Sequence, residues 1–237
     1  CAFGAALLCW EWNRLLRGNA RGVTMWLHGA GAVAACIAVL TASLHMASAV
    51  LFATAIAAVF LPQPASDRLW SGFGVLYLGL APMLLIALRV DGNEGLWAIL
   101  FLFLVVWSAD SAAYFAGRAI GGPKLAPGIS PGKPWSGCIA GLLVPSVLAV
   151  GYAFWLVEGS PQMLGIVAFA LAIASQAGDL AESAIKRRFG VKDSGSILPG
   201  HGGLFDRVDG LIGATLAAGI IVWCRSGSVT PRDLLIW

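Results

Sequence analysis

Residues 175–210 read SQAGDLAESAIKRRFGVKDSGSILPGHGGLFDRVDG and carry five acids and six bases beside long apolar segments. The acids are Asp179, Glu182, Asp193, Asp206 and Asp209; the bases are Lys186, Arg187, Arg188, Lys192, Arg207 and, when protonated, His201. Charge this dense is expensive against hydrocarbon and marks a functional site. Asp179, Glu182, Ser183 and Lys186 fall at i, i+3, i+4 and i+7, which is one face of a helix. Asp206 and Asp209 open the last apolar run, again three apart. They follow Gly200-His201-Gly202-Gly203, a flexible turn whose small residues let backbone approach a ligand. Carboxylates at a helix N-terminus are favoured by its dipole, so capping is the plain reading of this pair. Carboxylates from two different helices also suit Mg²⁺, a hard ion that takes oxygen ligands and shares them with substrate phosphates. The neighbouring bases suit the phosphates themselves. Acid and base clusters together point to phosphoryl or nucleotidyl transfer.

Two more candidates lie upstream. Lys133 sits in SPGKPW, among Gly and Pro, either to reach a phosphate or to serve as an interfacial lysine. No Walker A pattern occurs. Asp110 lies in WSADSAAYFAGR inside an apolar span, with Tyr114 on the same face four residues on. An ionisable residue there must be paired or wet, as a ligand site or as a satisfied polar spot between helices. Lys186 to Arg188 also fit the plainer role of anchors at a membrane surface. His28 and His45 have no partner pattern and read as packing or interfacial residues. Five scattered cysteines show no CxxC or Cys/His spacing, which argues against a zinc site or a disulfide framework.

The elements that position these residues must be membrane helices. The 237 residues are 59% hydrophobic and 11% charged, against about a quarter charged in soluble domains, and mean hydropathy is +0.83. A span needs about 20 mostly apolar residues. The hydropathy predicts a truncated first span at 1–12, then spans near 23–43, 45–62, 71–89, 96–118, 137–157, 162–185 and 208–224. Backbone in lipid must satisfy itself, and no barrel-type alternation is present, so these are helices. The fold class expected is all-α: a polytopic transmembrane bundle of about eight spans with a polar cytoplasmic funnel. The chain opens at Cys1 inside an apolar run, so further upstream residues are expected. Residues 119–136 form one long Gly/Pro-rich loop that is not helical throughout. If the long polar segments face the cytoplasm, that side holds twelve of the 15 Lys and Arg residues, the bias the positive-inside rule requires. The domain division expected is 1–70, N-terminal transmembrane helices, and 71–237, a catalytic transmembrane domain with its signature at 183–209.

The ordered residues Ser183, Lys186-Arg187, Lys192-Asp193, Pro199-Gly200-His201-Gly202-Gly203 and Asp206-Arg207-Val208-Asp209 resemble the signature of the phosphatidate cytidylyltransferases (CDP-diacylglycerol synthases). Gly178-Asp179-Leu180 precedes it as in that family. Asp110, Ala113-Tyr114 and Gly117-Arg118 look like its D-x-x-A-Y-x-x-G-R segment, and Ile129-Ser130-Pro131 with Lys133 like its I-S-P-x-K loop. Ala81-Pro82 to Arg89 is similar to a preceding family span. The resemblance covers roughly residues 75–225. One departure is plain: where the family loop continues Lys-Thr-Trp-Glu-Gly, this chain has Lys133-Pro134-Trp135-Ser136-Gly137.

The resemblance implies a reaction in which the phosphate of phosphatidic acid attacks the α-phosphorus of CTP, forming CDP-diacylglycerol and releasing pyrophosphate. It implies a Mg²⁺ centre on Asp179 and Asp206, with Asp209 and Asp110 as further candidates and a second cation as an option. It places Asp179, Ser183, Lys186, Arg187, Lys192, Asp193, His201, Arg207 and Asp209 in the catalytic set, and Lys133, Asp110, Tyr114 and Ser130 in the cofactor-binding set. The bases would bind phosphates, while Ser183 and His201 line the site. The partners implied are CTP, phosphatidic acid and membrane lipid, with a homodimer among the expected assemblies and no nucleic acid. The setting implied is a bacterial-type inner membrane with the site facing the cytoplasm. The attacking phosphate is already nucleophilic, so metal and bases that stabilise charge suffice. Two rivals follow from the same residues: another CTP-dependent lipid enzyme such as a lipid kinase, and an ion-coupled carrier. A carrier wants charges near mid-membrane in repeat-related helices, whereas here they cluster at helix ends.

Overall fold

A computed structural model describes all residues except 19–21, 157–158, 196 and 198–201. Nine helices and one hairpin are seen among the described residues: α1 (Ala2–Arg17), α2 (Val23–Thr41), α3 (Leu44–Phe60), α4 (Ala65–Arg89), α5 (Gly92–Ala119), β1 (Lys124–Ala126), β2 (Ser130–Pro134), α6 (Trp135–Leu156), α7 (Pro161–Arg188), α8 (Phe205–Ser226) and α9 (Pro231–Leu235). The all-α polytopic class therefore holds. Six helices, α2 and α4 to α8, are long and apolar enough to cross a membrane, and α3 is apolar but shorter. Large apolar side chains on their outer faces, such as Trp26, Phe52, Phe60, Trp107, Trp155 and Trp223, are exposed. Lipid is the solvent that suits such a surface.

The helices outrun the predicted spans. α4 starts at Ala65 and α8 at Phe205, several residues before the apolar runs begin. Hydropathy reports how much chain sits in hydrocarbon, but helical hydrogen bonds continue into polar sequence wherever no residue breaks them. The loop at 119–136 folds as an antiparallel hairpin, with Lys124 paired to Pro134 and Ala126 to Ser130. Its second strand carries two prolines, Pro131 and Pro134, and the register shifts between the two pairs.

The chain forms two compact units, Cys1–Val90 with Lys186–Val208, and Asp91–Ile185 with Asp209–Trp237. In the first, α2, α3 and α4 pack around Ala35, Leu51, Ala55, Val75 and Met83. Small residues set the helix spacing: a Cβ on Gly31 would lie 2.3 Å from Thr54 Cγ2, and one on Gly79 would lie 2.5 Å from Leu51 Cδ1. Close approach through Gly and Ala is how membrane helices associate when burial alone gives no driving force. Ser43 caps α3, accepting from the Met46 amide at 3.1 Å, which explains the tight turn between the second and third helices. His28 is fully buried, with Nδ1 2.8 Å from Asn13 Nδ2 and Nε2 2.9 Å from Ser71 Oγ. It is a satisfied packing residue, as its surroundings suggested, and His45 lies exposed at the start of α3.

In the second unit, α5 and α6 pack along their length. Tyr152 donates its hydroxyl to the Trp97 carbonyl at 2.7 Å, and α9 packs against α5.

Candidate active site

Within the second unit, α7 and α8 cross almost backbone to backbone. A Cβ on Gly213 would lie 2.2 Å from the Ala174 carbonyl oxygen, and one on Gly210 would lie 2.6 Å from Ser175 Oγ. At Gly213 the clash is with backbone, so nothing larger than glycine fits there unless the helices move apart. The crossing has a consequence for the acids beside it. Asp179 follows Gly178 on α7, and Asp209 precedes Gly210 on α8. Asp179, Glu182 and Asp209 each offer a carboxylate oxygen, and these oxygens lie within 4.8 Å of one another. Glu182 is buried, and the two aspartates are half-buried. Three oxygen donors that close suit a hard divalent cation, whose charge offsets their mutual repulsion.

Asp179 also accepts from Lys133 Nζ. Lys133 stands on β2, so the hairpin carries a cation to the acidic cluster. Burial holds its ammonium below the ordinary lysine value, while the charges of Asp209, Asp110 and Glu182 pull the other way. A poorly solvated ammonium gains more from an incoming phosphate than a hydrated one does. The hairpin is fixed at its base: Ser136 donates to the Gly121 carbonyl at 2.6 Å, and the Trp135 amide donates to the Pro123 carbonyl at 3.0 Å.

Lys133 and Asp179 line a cavity of about 630 Å³ whose wall also includes Asp110, Tyr114, Arg118 and Gln176. That volume falls in the range of ligand pockets. Gln176 donates to the Cys138 carbonyl at 3.1 Å, and Arg118 Nη1 donates to Tyr114 Oη at 3.0 Å. Gly117, Gly137 and Gly141 bring α5 and α6 together there; a Cβ on Gly137 would lie 2.7 Å from the Ala113 carbonyl oxygen. The cavity thus joins acids, the half-buried Lys133 and the exposed Arg118.

The first unit holds the rest of the charged segment. Asp206 Oδ1 accepts from Lys186 Nζ at 2.8 Å, and Asp206 Oδ2 accepts from the Gly203 amide at 2.8 Å and the Ser194 amide at 3.1 Å. Asp206 is expected on a metal from the family pattern; in the structure its oxygens face these three donors. Arg187, Lys192, Asp193 and Arg207 are exposed. Ser183 Oγ is 3.5 Å from Glu182 Oε2, and Ser130 begins β2. His201 lies outside the described residues.

Two residues that the sequence reading left without a role stand out. Glu182 occupies the same stripe as Asp179, and the i, i+3 spacing was the signal that pairs them. Glu11 on α1 is fully buried, with Oε1 accepting from the Leu204 amide at 2.8 Å and Oε2 from the Phe205 amide at 2.7 Å. A single acid in an apolar run gave no hint of a partner 193 residues away.

Residues 1–224 match the model of the cytidylyltransferase family. A phosphatidate cytidylyltransferase from Brucella suis biovar 1 is 50% identical over 160 residues, covering 67% of this chain and 58% of its own length. One from Haemophilus influenzae is 40% identical over 171 residues, 65% of this chain and 59% of its own. One from Bacillus subtilis is 42% identical over 140 residues, 58% and 51%. The chain therefore spans little more than half the length of these relatives. The family match also reaches back to the first residue, beyond the motifs of residues 75–225 on which the resemblance rests.

Proposed function

This chain belongs to the cytidylyltransferase family, and we propose that it is a membrane-embedded nucleotidyltransferase that condenses CTP with phosphatidic acid, giving CDP-diacylglycerol and pyrophosphate. The observation that carries the reading is the second unit's cavity, where Lys133 pairs with Asp179 beside the clustered oxygens of Glu182 and Asp209. Two polyanions must meet in this reaction, and a site for them needs both fixed cations and a place for a divalent ion.

The chemistry is a displacement at phosphorus. A phosphate oxygen of the lipid forms a bond to the α-phosphorus of CTP, and the bond to the bridging oxygen of pyrophosphate breaks. The nucleophile is already anionic, so the residues have no proton to remove. Lys133 would take phosphate oxygens as the charge shifts toward the leaving group. Arg118, exposed in the cavity wall, would meet the anionic headgroup. On the family pattern Lys186, Arg187, Lys192 and Arg207 would bind phosphates, Ser183 and His201 would line the site, Asp193 belongs to the catalytic set, and Asp110, Tyr114 and Ser130 to the cofactor-binding set.

The donor set of Asp179, Glu182 and Asp209 fits Mg²⁺: all are hard carboxylate oxygens, and they converge. When bound, the ion would neutralise phosphate charge and orient the triphosphate. The metal role of Asp206 rests on the family pattern alone. The Lys and Arg bias supports placing the site on the cytoplasmic side of an inner membrane.

The test is pyrophosphate release by purified protein in detergent with CTP, phosphatidic acid and Mg²⁺. The expected result is release that needs both substrates and is lost in Asp179→Asn. Release of CDP with a phosphorylated lipid would replace this reading with a lipid kinase. No chemistry from a folded wild type, together with ion-dependent transport in vesicles, would replace it with a carrier.

A further inference from the structure

Glu11 lies in α1, far in sequence from every residue assigned to the chemistry, yet it is the most enclosed acid in the first unit. It is 0% exposed. Each carboxylate oxygen accepts one backbone amide, Leu204 at 2.8 Å and Phe205 at 2.7 Å. These are the amides at the start of α8, which have no partner inside the helix and carry the positive end of its dipole. The surrounding backbone is shaped to the carboxylate. A Cβ on Gly203 would lie 2.5 Å from Glu11 Oε1, and one on Gly195 would lie 2.6 Å from the same atom. The next residue reinforces the grip: Trp12 packs edge-on to Phe205, centroids 6.2 Å apart.

What this fixes is the first turn of α8. Asp206 follows Phe205 directly, and its Oδ2 accepts from the Gly203 amide, the neighbour of the Leu204 amide that Glu11 holds. Lys186 in turn rests on Asp206. We propose that Glu11 is a positioning residue: its carboxylate holds the Gly203–Phe205 backbone, and through it sets Asp206 and Lys186 for the nucleotide. The proposal rests on the cytidylyltransferase reading above. Neutral glutamine, although the same size, must point an NH₂ group at one of the two amides and so loses an acceptor. Misplacement of a catalytic group by about 1 Å costs on the order of a hundredfold in rate.

The test is steady-state kinetics of Glu11→Gln and Gly195→Ala, with hydrogen exchange at the Leu204 and Phe205 amides. Gly195→Ala leaves the carboxylate in place but crowds it. The expected result is faster exchange at both amides, a KM for CTP raised several-fold, and kcat/KM lowered by about tenfold or more in each variant. Loss of active molecules alone lowers kcat and leaves KM unchanged, so that result overturns the positioning role. A folded Gly195→Ala with wild-type KM overturns it even if Glu11→Gln does not fold. A wild type that turns over no CTP overturns the functional reading and this role with it, whereas normal wild-type turnover with unaltered variants overturns only the role.

Discussion

Gly178 of α7 meets Gly213 of α8 without a side chain between them: a Cβ on Gly178 would lie 3.2 Å from the Gly213 Cα and 2.6 Å from the Asp209 carbonyl oxygen. The distance between two helices is thereby fixed by what is missing, and the carboxylates of Asp179 and Asp209 inherit that distance. In lipid, packing of this kind is a main source of helix association. The same small residues therefore contribute to stability and define the acidic cluster.

Gly213→Ala should accordingly separate the helices. Overpacking of this kind costs about 1–3 kcal/mol, and the displaced carboxylates should lower turnover by on the order of a hundredfold. Thermal unfolding in detergent and pyrophosphate release measure the two effects. Gly151→Ala is the control, because a Cβ there meets nothing within 4 Å. Wild-type turnover in Gly213→Ala would show that the crossing does not set the site.

The divalent ion gives a second prediction. Chelation should abolish activity and Mg²⁺ should restore it. Glu182→Gln should raise the Mg²⁺ concentration for half-maximal activity by about tenfold or more, while the KM for phosphatidic acid stays near wild type. An unchanged Mg²⁺ requirement would remove Glu182 from the ligand set.

How far the sequence reveals this arrangement depends on the range of the interaction. The stripe Asp179, Glu182, Ser183, Lys186 is legible because a helix has one period and its neighbours are local. Six of the expected spans are legible, as helices long and apolar enough to cross a membrane, because lipid imposes one length. Helix ends were less so: polar residues from Ala65 and from Phe205 join α4 and α8 without contributing to hydropathy. The pairing of Lys133 with Asp179, 46 residues apart, needs a hairpin whose register no short-range signal specifies. Glu11 was the hardest case, because a carboxylate that satisfies backbone amides leaves no sequence partner to find.

Lys133 and Asp179 supply a third prediction. Lys133→Met and Asp179→Asn should each lower kcat/KM by about 10²–10³, the scale of losing one charged stabilising group. Their double variant should be little worse than the poorer single, since groups acting as a unit are not additive. Full additivity in a double-mutant cycle would mean that the pair does not work together.

The last prediction concerns the departure at 134–136. Pro134 leans on Gly117, where a Cβ would lie 3.1 Å from the proline Cγ, and Ser136 bonds the Gly121 carbonyl. Together they close the hairpin that carries Lys133, so this chain anchors the loop with its own residues in place of the family's Thr and Glu. Ser136→Ala removes one hydrogen bond worth about 1 kcal/mol, which for a chain of this size lowers Tm by about 2–4 °C. The loosened hairpin should also raise the KM for CTP while kcat with saturating nucleotide changes less. Thermal unfolding beside CTP titration measures both. A fall in Tm with an unaltered KM would mean that the hydrogen bond stabilises the fold without holding Lys133 for the nucleotide.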